Sequence, residues 1–248
     1  LIFICAYLVC KIKIPEIFIK RGKNIPTNNA SDKKALHSLF SYSWPLIFLG
    51  AVYSIMYWAD SFVIGYYKDA FTVGIYNAAI PLCSILNISA DLFAQAFVPL
   101  VTKEYSRGNT KVVGKISKQI NKWIVIINLP IFIIMIFFPG AVINLFFGRE
   151  YLAAANSLRL VTIGSMLITC MFAISNNLLY MKGKSKIILG NIVLTTAINI
   201  ILSIILIKYY GIVGVAMGAM IGSIILSILA FIECIYYTKI NPLKKDLI

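Results

Sequence analysis

The sequence predicts an all-α membrane protein, a bundle of helices that crosses the bilayer several times. Of its 248 residues, 60% are hydrophobic and only 13% are charged, and the mean hydropathy is +0.88. A soluble domain needs a polar exterior and carries roughly 25% charged residues. Apolar runs close to the ~20 residues needed to cross a bilayer recur along the chain. These observations disfavour a soluble enzyme and a nucleic-acid-binding domain.

Six apolar runs predict six spans, at 42–66, 74–101, 123–147, 152–180, 187–207 and 212–236. Residues 1–10 make only half a span, and Lys11 and Lys13 follow them, whereas a signal peptide carries its charge before its apolar run. We therefore expect residues 1–10 to be the tail of a preceding helix. The predicted organisation is this tail, a basic linker at 11–38, and a six-helix C-terminal lobe at 39–248.

The positive charge is distributed unevenly between the two ends of these spans. The formal net charge is +14, and 19 of the 23 Lys and Arg residues lie in 11–38, 103–122, 182–186 and 239–245. Basic residues are retained on the cytoplasmic side of a membrane. The pattern therefore predicts a cytoplasmic linker at 11–38 and a cytoplasmic C-terminus. Anionic lipid headgroups are the expected partners of these loops, and a nucleic acid is not.

Residues that could perform catalysis or bind a cofactor are scarce. The single histidine is His37, the five cysteines lack CxxC spacing, and no P-loop or GxGxxG motif occurs. A His-based triad or a multi-His metal site cannot form from this sequence. The predicted outer loops are also too short for a sizeable active site. We therefore expect neither an enzyme nor a bound cofactor, although a coupling ion of unknown identity is compatible with the sequence.

Polar residues inside the predicted spans are the candidates for a transport pathway, because polar groups are costly in lipid and tend to face a cavity or one another. They recur along one face of three helices. Hydrogen bonding between packed helices is the alternative use of Asn, Ser and Thr. The candidates in these stripes are Asn87, Asp91 and Gln95 in span 74–101, Asn176 in 152–180, and Asn199 in 187–207.

Two charged residues complete the candidate pathway. Asp60 and Arg159 lie about six and seven residues from the outer ends of their spans, and Asp91 is deeper than Asp60 by roughly 16 Å at the rise of an α-helix. We expect Asp60 and Arg159 to approach each other as an ion pair or a gate. Asp91 lies at too different a depth to share an ion with Asp60.

Glycines recur every fourth residue in the last span, at Gly214, Gly218 and Gly222. This small-xxx-small pattern lets two helices approach closely. It predicts a tight packing surface that can also serve as a sliding surface.

Several short motifs, taken in order, resemble the second half of the polysaccharide-transport flippases. These form the Wzx-like branch of the multidrug/oligosaccharidyl-lipid/polysaccharide exporter superfamily. The resemblance covers about 40–240. The motifs are SWP at 43–45, DSFVIG at 60–65, VGIYNAA at 73–79, FVP at 97–99, RGN at 107–109, FGREY at 147–151, LR at 158–159, KGK at 182–184 and YGIVGVA at 210–216.

The resemblance implies a MATE-like transporter with two six-helix lobes around a central cavity. Such proteins move a polyprenyl-diphosphate-linked oligosaccharide, for example an O-antigen unit, to the outer leaflet of a prokaryotic plasma membrane by alternating access. It also implies that an N-terminal lobe is missing from the present sequence and is a partner of this one. Asp60 matches the acidic position typical of this branch.

Two other functions remain open at this point. The first is an ion-coupled multidrug or metabolite antiporter of the same superfamily, in which Asp91 is expected to titrate or to bind Na⁺. The more distant one is a membrane-embedded enzyme of polysaccharide assembly. That enzyme needs an acid–base or metal set, which the sequence does not show.

Overall fold

The described part of the computed structural model, residues 50–239, is a bundle of helices without a strand, as predicted. Helix α1 occupies 50–67, and the following helices are α2 (Ala70–Ser106), α3 (Thr110–Phe137), α4 (Pro139–Phe146), α5 (Ala155–Leu167), α6 (Ala173–Met181), α7 (Ser185–Tyr210) and α8 (Ile212–Thr238). A 3₁₀ segment (Arg149–Ala154) precedes α5, and a π-helical segment (Ile168–Phe172) joins α5 to α6.

Five helical rods within residues 50–239 are long and apolar enough to cross a membrane. The predicted spans from 74 onwards correspond to them. They are Ala70–Ser106, Thr110–Phe137, Arg149–Met181, Ser185–Tyr210 and Ile212–Thr238. The tail at 1–10, the linker at 11–38 and the start of the span at 42–66 lie outside the described residues. A sixth span and the two-lobe organisation therefore stay predictions.

The predicted span at 123–147 differs most from the observed helices. Helix α3 already begins at Thr110, so the lysine-rich turns before residue 123 belong to the same helix as the span. The helix ends at Phe137, and the next residue, Phe138, has a φ of −124° and a ψ of 43°, which are not helical. Pro139 explains this break, because proline disfavours the helical conformation in the residue before it. Apolar composition continues across the break, which is why hydropathy alone did not reveal it.

Helix α8 packs against both α7 and the α5–α6 rod. Its three spaced glycines are buried and face α7, where the polar stripe of that helix lies. A Cβ added at Gly218 would lie 2.6 Å from the Ser203 Oγ, and one added at Gly222 would lie 3.2 Å from the Asn199 Cβ. The predicted close approach of two helices is therefore confirmed. The polar residues Thr195, Asn199 and Ser203 of α7 lie against these glycines.

The N-terminus of α2 is fixed by an aspartate cap. The Asp69 Oδ1 accepts a hydrogen bond from the Thr72 backbone N–H at 3.2 Å and another from the Thr72 hydroxyl. A cap of this kind satisfies one of the backbone donors that a helix leaves without a partner. The Thr72 bonds also hold the pKa of Asp69 below its ordinary value. The cap fixes the point at which the chain turns from α1 into α2.

Removing this cap is expected to loosen the first turn of α2. In Asp69→Ala, the first-turn amides should exchange hydrogen roughly fivefold faster, whereas Asp69→Asn should keep most of the protection because asparagine caps equally well. The carboxylate cap is present above the unfolded pKa and is lost as the pH falls through the lowered folded pKa. Hydrogen-exchange mass spectrometry of the peptide covering 69–75 measures both effects. Equal exchange in the alanine and asparagine variants would contradict this role of Asp69.

Candidate functional site: the Asp60 cavity

The candidate site lies between α1 and α2, which form an antiparallel hairpin with its turn at Lys68 and Asp69. Asp60 lies eight residues before Lys68, and Tyr76 lies eight residues after it. At the rise of an α-helix, both residues lie about 12 Å from the turn and therefore at one depth. The next residue of each helix forms a second contact between α1 and α2, in which the Ser61 hydroxyl donates to the Asn77 Oδ1 at 2.8 Å.

Asp60 is held by hydrogen bonds from two neutral side chains. The Tyr76 hydroxyl donates to its Oδ2 at 2.7 Å, and the Asn199 Nδ2 donates to its Oδ1 at 3.0 Å. Tyr76 is fully buried and Asn199 nearly so. Because α2 supplies Tyr76 and α7 supplies Asn199, the carboxyl group of Asp60 joins three helices. A typical intramolecular hydrogen bond of this kind contributes about 0.5–1.5 kcal/mol net.

Asn199 is oriented by a second layer of contacts. The Ser203 hydroxyl donates to the Asn199 Oδ1 at 3.0 Å, which leaves the Asn199 Nδ2 to face Asp60. Gly218 provides the space for this pair, since a Cβ there would lie 2.6 Å from the Ser203 Oγ and 3.1 Å from the Asn199 Oδ1. The glycine stripe of α8 thus positions a residue of the site.

A half-open cavity of about 210 Å³ lies beside Asp60. The wall contains an aromatic pair at right angles, Tyr57 and Trp58, with ring centroids 5.3 Å apart. Polar atoms from both helices of the hairpin also face it. The complete lining is Tyr57, Trp58, Asp60, Ser61, Tyr76, Asn77, Ile80 and Pro81.

The chemistry available at this cavity is that of a carboxyl group without a cationic partner. Within residues 50–239, the ion pair present is Arg107 with Glu104, which lies at the end of α2 far along the chain. Also within that range, no group of three His, Cys, Asp or Glu side chains is placed to hold a metal ion. A carboxyl group bonded only by neutral donors in an apolar bundle can carry a proton or attract a cationic or hydroxyl-bearing ligand.

The expected pairing of Asp60 with Arg159 is wrong. Arg159 is exposed, and its Nε donates to the Ile136 carbonyl at 3.0 Å while its Nη1 lies 3.5 Å from the Asn156 Oδ1. The guanidinium therefore lies against α3, whereas Asp60 faces α2 and α7. Similar depth along two helices was the basis of the expectation, and depth does not specify the face on which a side chain lies. A role of Arg159 in the pathway stays a prediction.

The three candidates on α2 share a face but differ in their surroundings. Asp91 and Gln95 are exposed on the surface of the described bundle. Asn87 is partly buried, and its Oδ1 is buried without a hydrogen-bond partner among residues 50–239. None of them contacts the Asp60 cavity. Their place in the transport pathway stays a prediction.

Asn176 belongs to a different cluster, about two helical turns before Asp60 along α1. The Tyr53 side chain of α1 lies close to Tyr180 and Asn176 of α6. The Asn176 Oδ1 is buried and has no partner in the described part of the chain. Asn176 and Asn199 therefore lie against α1 at positions about two helical turns apart, and the bundle does not bring all the candidates together.

Tyr76 was not predicted from the sequence as the partner of Asp60, although the spacing of the two residues about the turn indicates it. Ser61 with Asn77 and Asp60 with Tyr76 are both 16 residues apart, and both pairs are centred on the turn at residues 68–69. A helical hairpin with a two-residue turn brings such positions together. The aromatic wall, by contrast, had no sequence signal beyond composition, because exposed aromatic residues are common throughout the membrane-spanning helices.

Comparison with known proteins identifies the relatives of this chain. Residues 2–104 match the family described as polysaccharide biosynthesis protein. An uncharacterised membrane protein of Methanocaldococcus jannaschii, MJ1068, is 28% identical over 91% of the chain, which covers 43% of that protein. The lipid II flippase MurJ of Bacillus subtilis is 24% identical over 84% of the chain, which covers 40% of that protein. No solved structure gives a significant match.

The chain thus spans about two fifths of the length of the curated relatives it matches. The family match includes α1 and most of α2, the hairpin that carries Asp60, Tyr76 and the cavity. The two relatives extend the similarity over nearly the whole bundle. These matches, together with the several apolar membrane helices, support a relationship of the chain to the polysaccharide and lipid-linked oligosaccharide exporter superfamily.

Proposed function

We propose that this chain is part of a flippase that moves a polyprenyl-diphosphate-linked oligosaccharide across a prokaryotic plasma membrane. The observation that carries the proposal is the Asp60 cavity, a recess in the bundle whose walls carry both polar and aromatic side chains. A glycan and a diphosphate cannot enter hydrocarbon without polar partners, because unsatisfied polar groups cost several kcal/mol each there. The similarity of the chain to a lipid II flippase supports a lipid-linked sugar as the class of substrate.

In this proposal the described bundle forms the C-terminal lobe and faces a second lobe across the substrate path. Alternating access then moves whole lobes around a binding region between them. The exposed polar positions Asp91 and Gln95 on α2 are suited to face such a path, since exposure to lipid would be costly. The lysine-rich segments at 103–122 and 182–186 favour a cytoplasmic location for their side of the bundle, close to anionic headgroups.

Deletion of the full-length gene tests this function. We expect loss of one surface glycan and accumulation of its lipid-linked precursor on the inner leaflet, with restoration by the full-length gene in trans. Extraction of polyprenyl-linked sugars and lectin staining of intact cells measure the two effects. Normal glycan display in the deletion strain would reject the proposal.

An ion-coupled antiporter is the second candidate function, and the surroundings of Asp60 favour it. A carboxyl group with only neutral donors around it is suited to exchange a proton or a cation during transport. In this case the deletion strain should display its glycan normally and become sensitive to cationic drugs. The same strain therefore distinguishes the two functions.

A further inference from the structure

We propose that the Asp60 cavity is a binding site for a single sugar ring of the transported lipid. This inference rests on the flippase function proposed above and specifies which part of the substrate the described bundle recognises. It is carried by the size of the cavity, by its mixture of aromatic and polar walls, and by the hydrogen-bonding groups that the fold leaves unused there.

The volume restricts the ligand to one ring. Pockets that enclose drug-sized ligands have volumes of ~300–1,000 Å³. The present cavity of about 210 Å³ is smaller and is open on one side. It can therefore hold one ring while the remainder of an oligosaccharide extends outward.

The aromatic wall suits the C–H face of a pyranose. Tyr57 and Trp58 are 61% and 50% exposed, so their rings are available at the mouth of the cavity. The 83° angle between them forms a corner rather than a flat stack. A ring seated in this corner would place one face on an aromatic surface and direct its hydroxyl groups toward the interior.

The interior of the cavity offers both donors and acceptors. The Asn77 Oδ1 accepts from Ser61, which leaves the Asn77 Nδ2 with two N–H donors that have no partner among residues 50–239. Pro81 lacks the N–H that would bond to the Asn77 backbone carbonyl in a regular helix, so this carbonyl has no donor from the backbone of residue 81. Asp60 contributes the remaining lone pairs of its carboxyl oxygens.

This combination favours a sugar over the other ligands that a membrane protein meets. A lipid chain would use none of the polar groups, and burying them under hydrocarbon would be costly. A cation would need acceptors alone, whereas Asn77 presents donors to the same space. Sugar hydroxyl groups both donate and accept, so they can satisfy the two kinds of group together.

The test uses the full-length protein in lipid nanodiscs and two probes that share one lipid. These are undecaprenyl diphosphate carrying a single N-acetylglucosamine and undecaprenyl diphosphate without a sugar. We expect Trp58→Ala and Asn77→Ala to weaken binding of the sugar-bearing probe about tenfold, the size of effect that the loss of one good contact has. Binding of the bare diphosphate lipid should stay unchanged.

Control variants separate binding from folding. Trp58→Phe keeps an aromatic face and should retain most of the affinity for the sugar-bearing probe. Trp123→Ala removes a similarly exposed tryptophan from α3, outside the cavity, and should leave both affinities unchanged. Thermal unfolding of each variant checks that the bundle is intact.

The remaining outcomes distinguish failure of the flippase function from failure of the sugar site. If the wild-type protein binds neither probe, the flippase function fails, and the sugar site fails with it. If the wild type binds both probes and the cavity variants bind the sugar-bearing probe normally, only the sugar site is rejected. Equal losses for both probes, or displacement of the sugar-bearing probe by NaCl alone, would reassign the cavity to another part of the substrate or to a cation.

Discussion

Gly214→Ala is expected to destabilise the protein by about 3 kcal/mol or more, which is the upper part of the range for overpacking. The added Cβ would lie 2.3 Å from the Leu206 carbonyl oxygen and 2.5 Å from its carbonyl carbon. Because both atoms belong to the backbone of α7, a side-chain movement cannot relieve the contact. Relief requires α7 and α8 to move apart, which would also disturb Asn199 and the site it supports. Thermal unfolding of the full-length protein in detergent measures the effect.

Gly190→Ala is the matched control for this prediction. Gly190 lies within α7, and a Cβ added there would meet nothing within 4 Å. Alanine is favoured over glycine inside a helix by ~1 kcal/mol, so this variant should be slightly more stable than the wild type. The same chemical change is thus expected to have opposite signs at two positions. Equal stabilities of the two variants would show that α7 and α8 do not approach so closely.

Asp60→Asn is expected to reduce transport of the lipid-linked substrate about tenfold or more, because a charge-bearing group inside a membrane bundle is rarely dispensable. Asparagine preserves the shape of the side chain and can still accept one of the two hydrogen bonds. Asp60→Ala should lose stability as well, since it leaves the Tyr76 hydroxyl and the Asn199 amide without their acceptor. Each buried donor left unpaired costs about 1–3 kcal/mol.

Two measurements on the full-length protein in liposomes distinguish these effects. The rate at which a fluorescent lipid-linked sugar reaches the outer leaflet reports transport, and thermal unfolding reports stability. Glu150→Gln removes an exposed carboxylate from the 3₁₀ segment, away from the cavity, and should change neither. Wild-type transport by Asp60→Asn would remove the carboxyl group from the mechanism and leave it a structural role.

Much of the architecture follows from one-dimensional patterns. Apolar length predicts where most of the membrane helices lie, because each must satisfy its backbone internally over the thickness of the bilayer. The spacing of Gly214, Gly218 and Gly222 predicts a close helix contact, since small residues at one face allow it. The break at Phe138 was less accessible, because a local proline effect interrupts a run whose hydropathy continues.

The candidate site was only partly predictable from the sequence. Asp60 and Asn199 were both candidates, but their hydrogen bond joins residues 139 positions apart and depends on how α7 rotates. Arg159 was placed beside Asp60 on depth alone and instead lies against α3. Helix rotation depends on packing against all neighbours at once, so a single helix does not specify which of its polar residues face one another.

Composition and residue spacing were enough to predict the class of this protein, the positions of most of its membrane helices and the residues from which a site could be built. These features depend on the composition and spacing of residues close together in the chain, where the cost of exposing polar backbone to lipid dominates. The contacts of Asp60 with Tyr76 and Asn199, and the cavity beside them, became visible only in the folded bundle. Those contacts depend on how each helix is rotated and on the space that Gly218 leaves beside Asn199. Both are set by side-chain packing across the whole bundle.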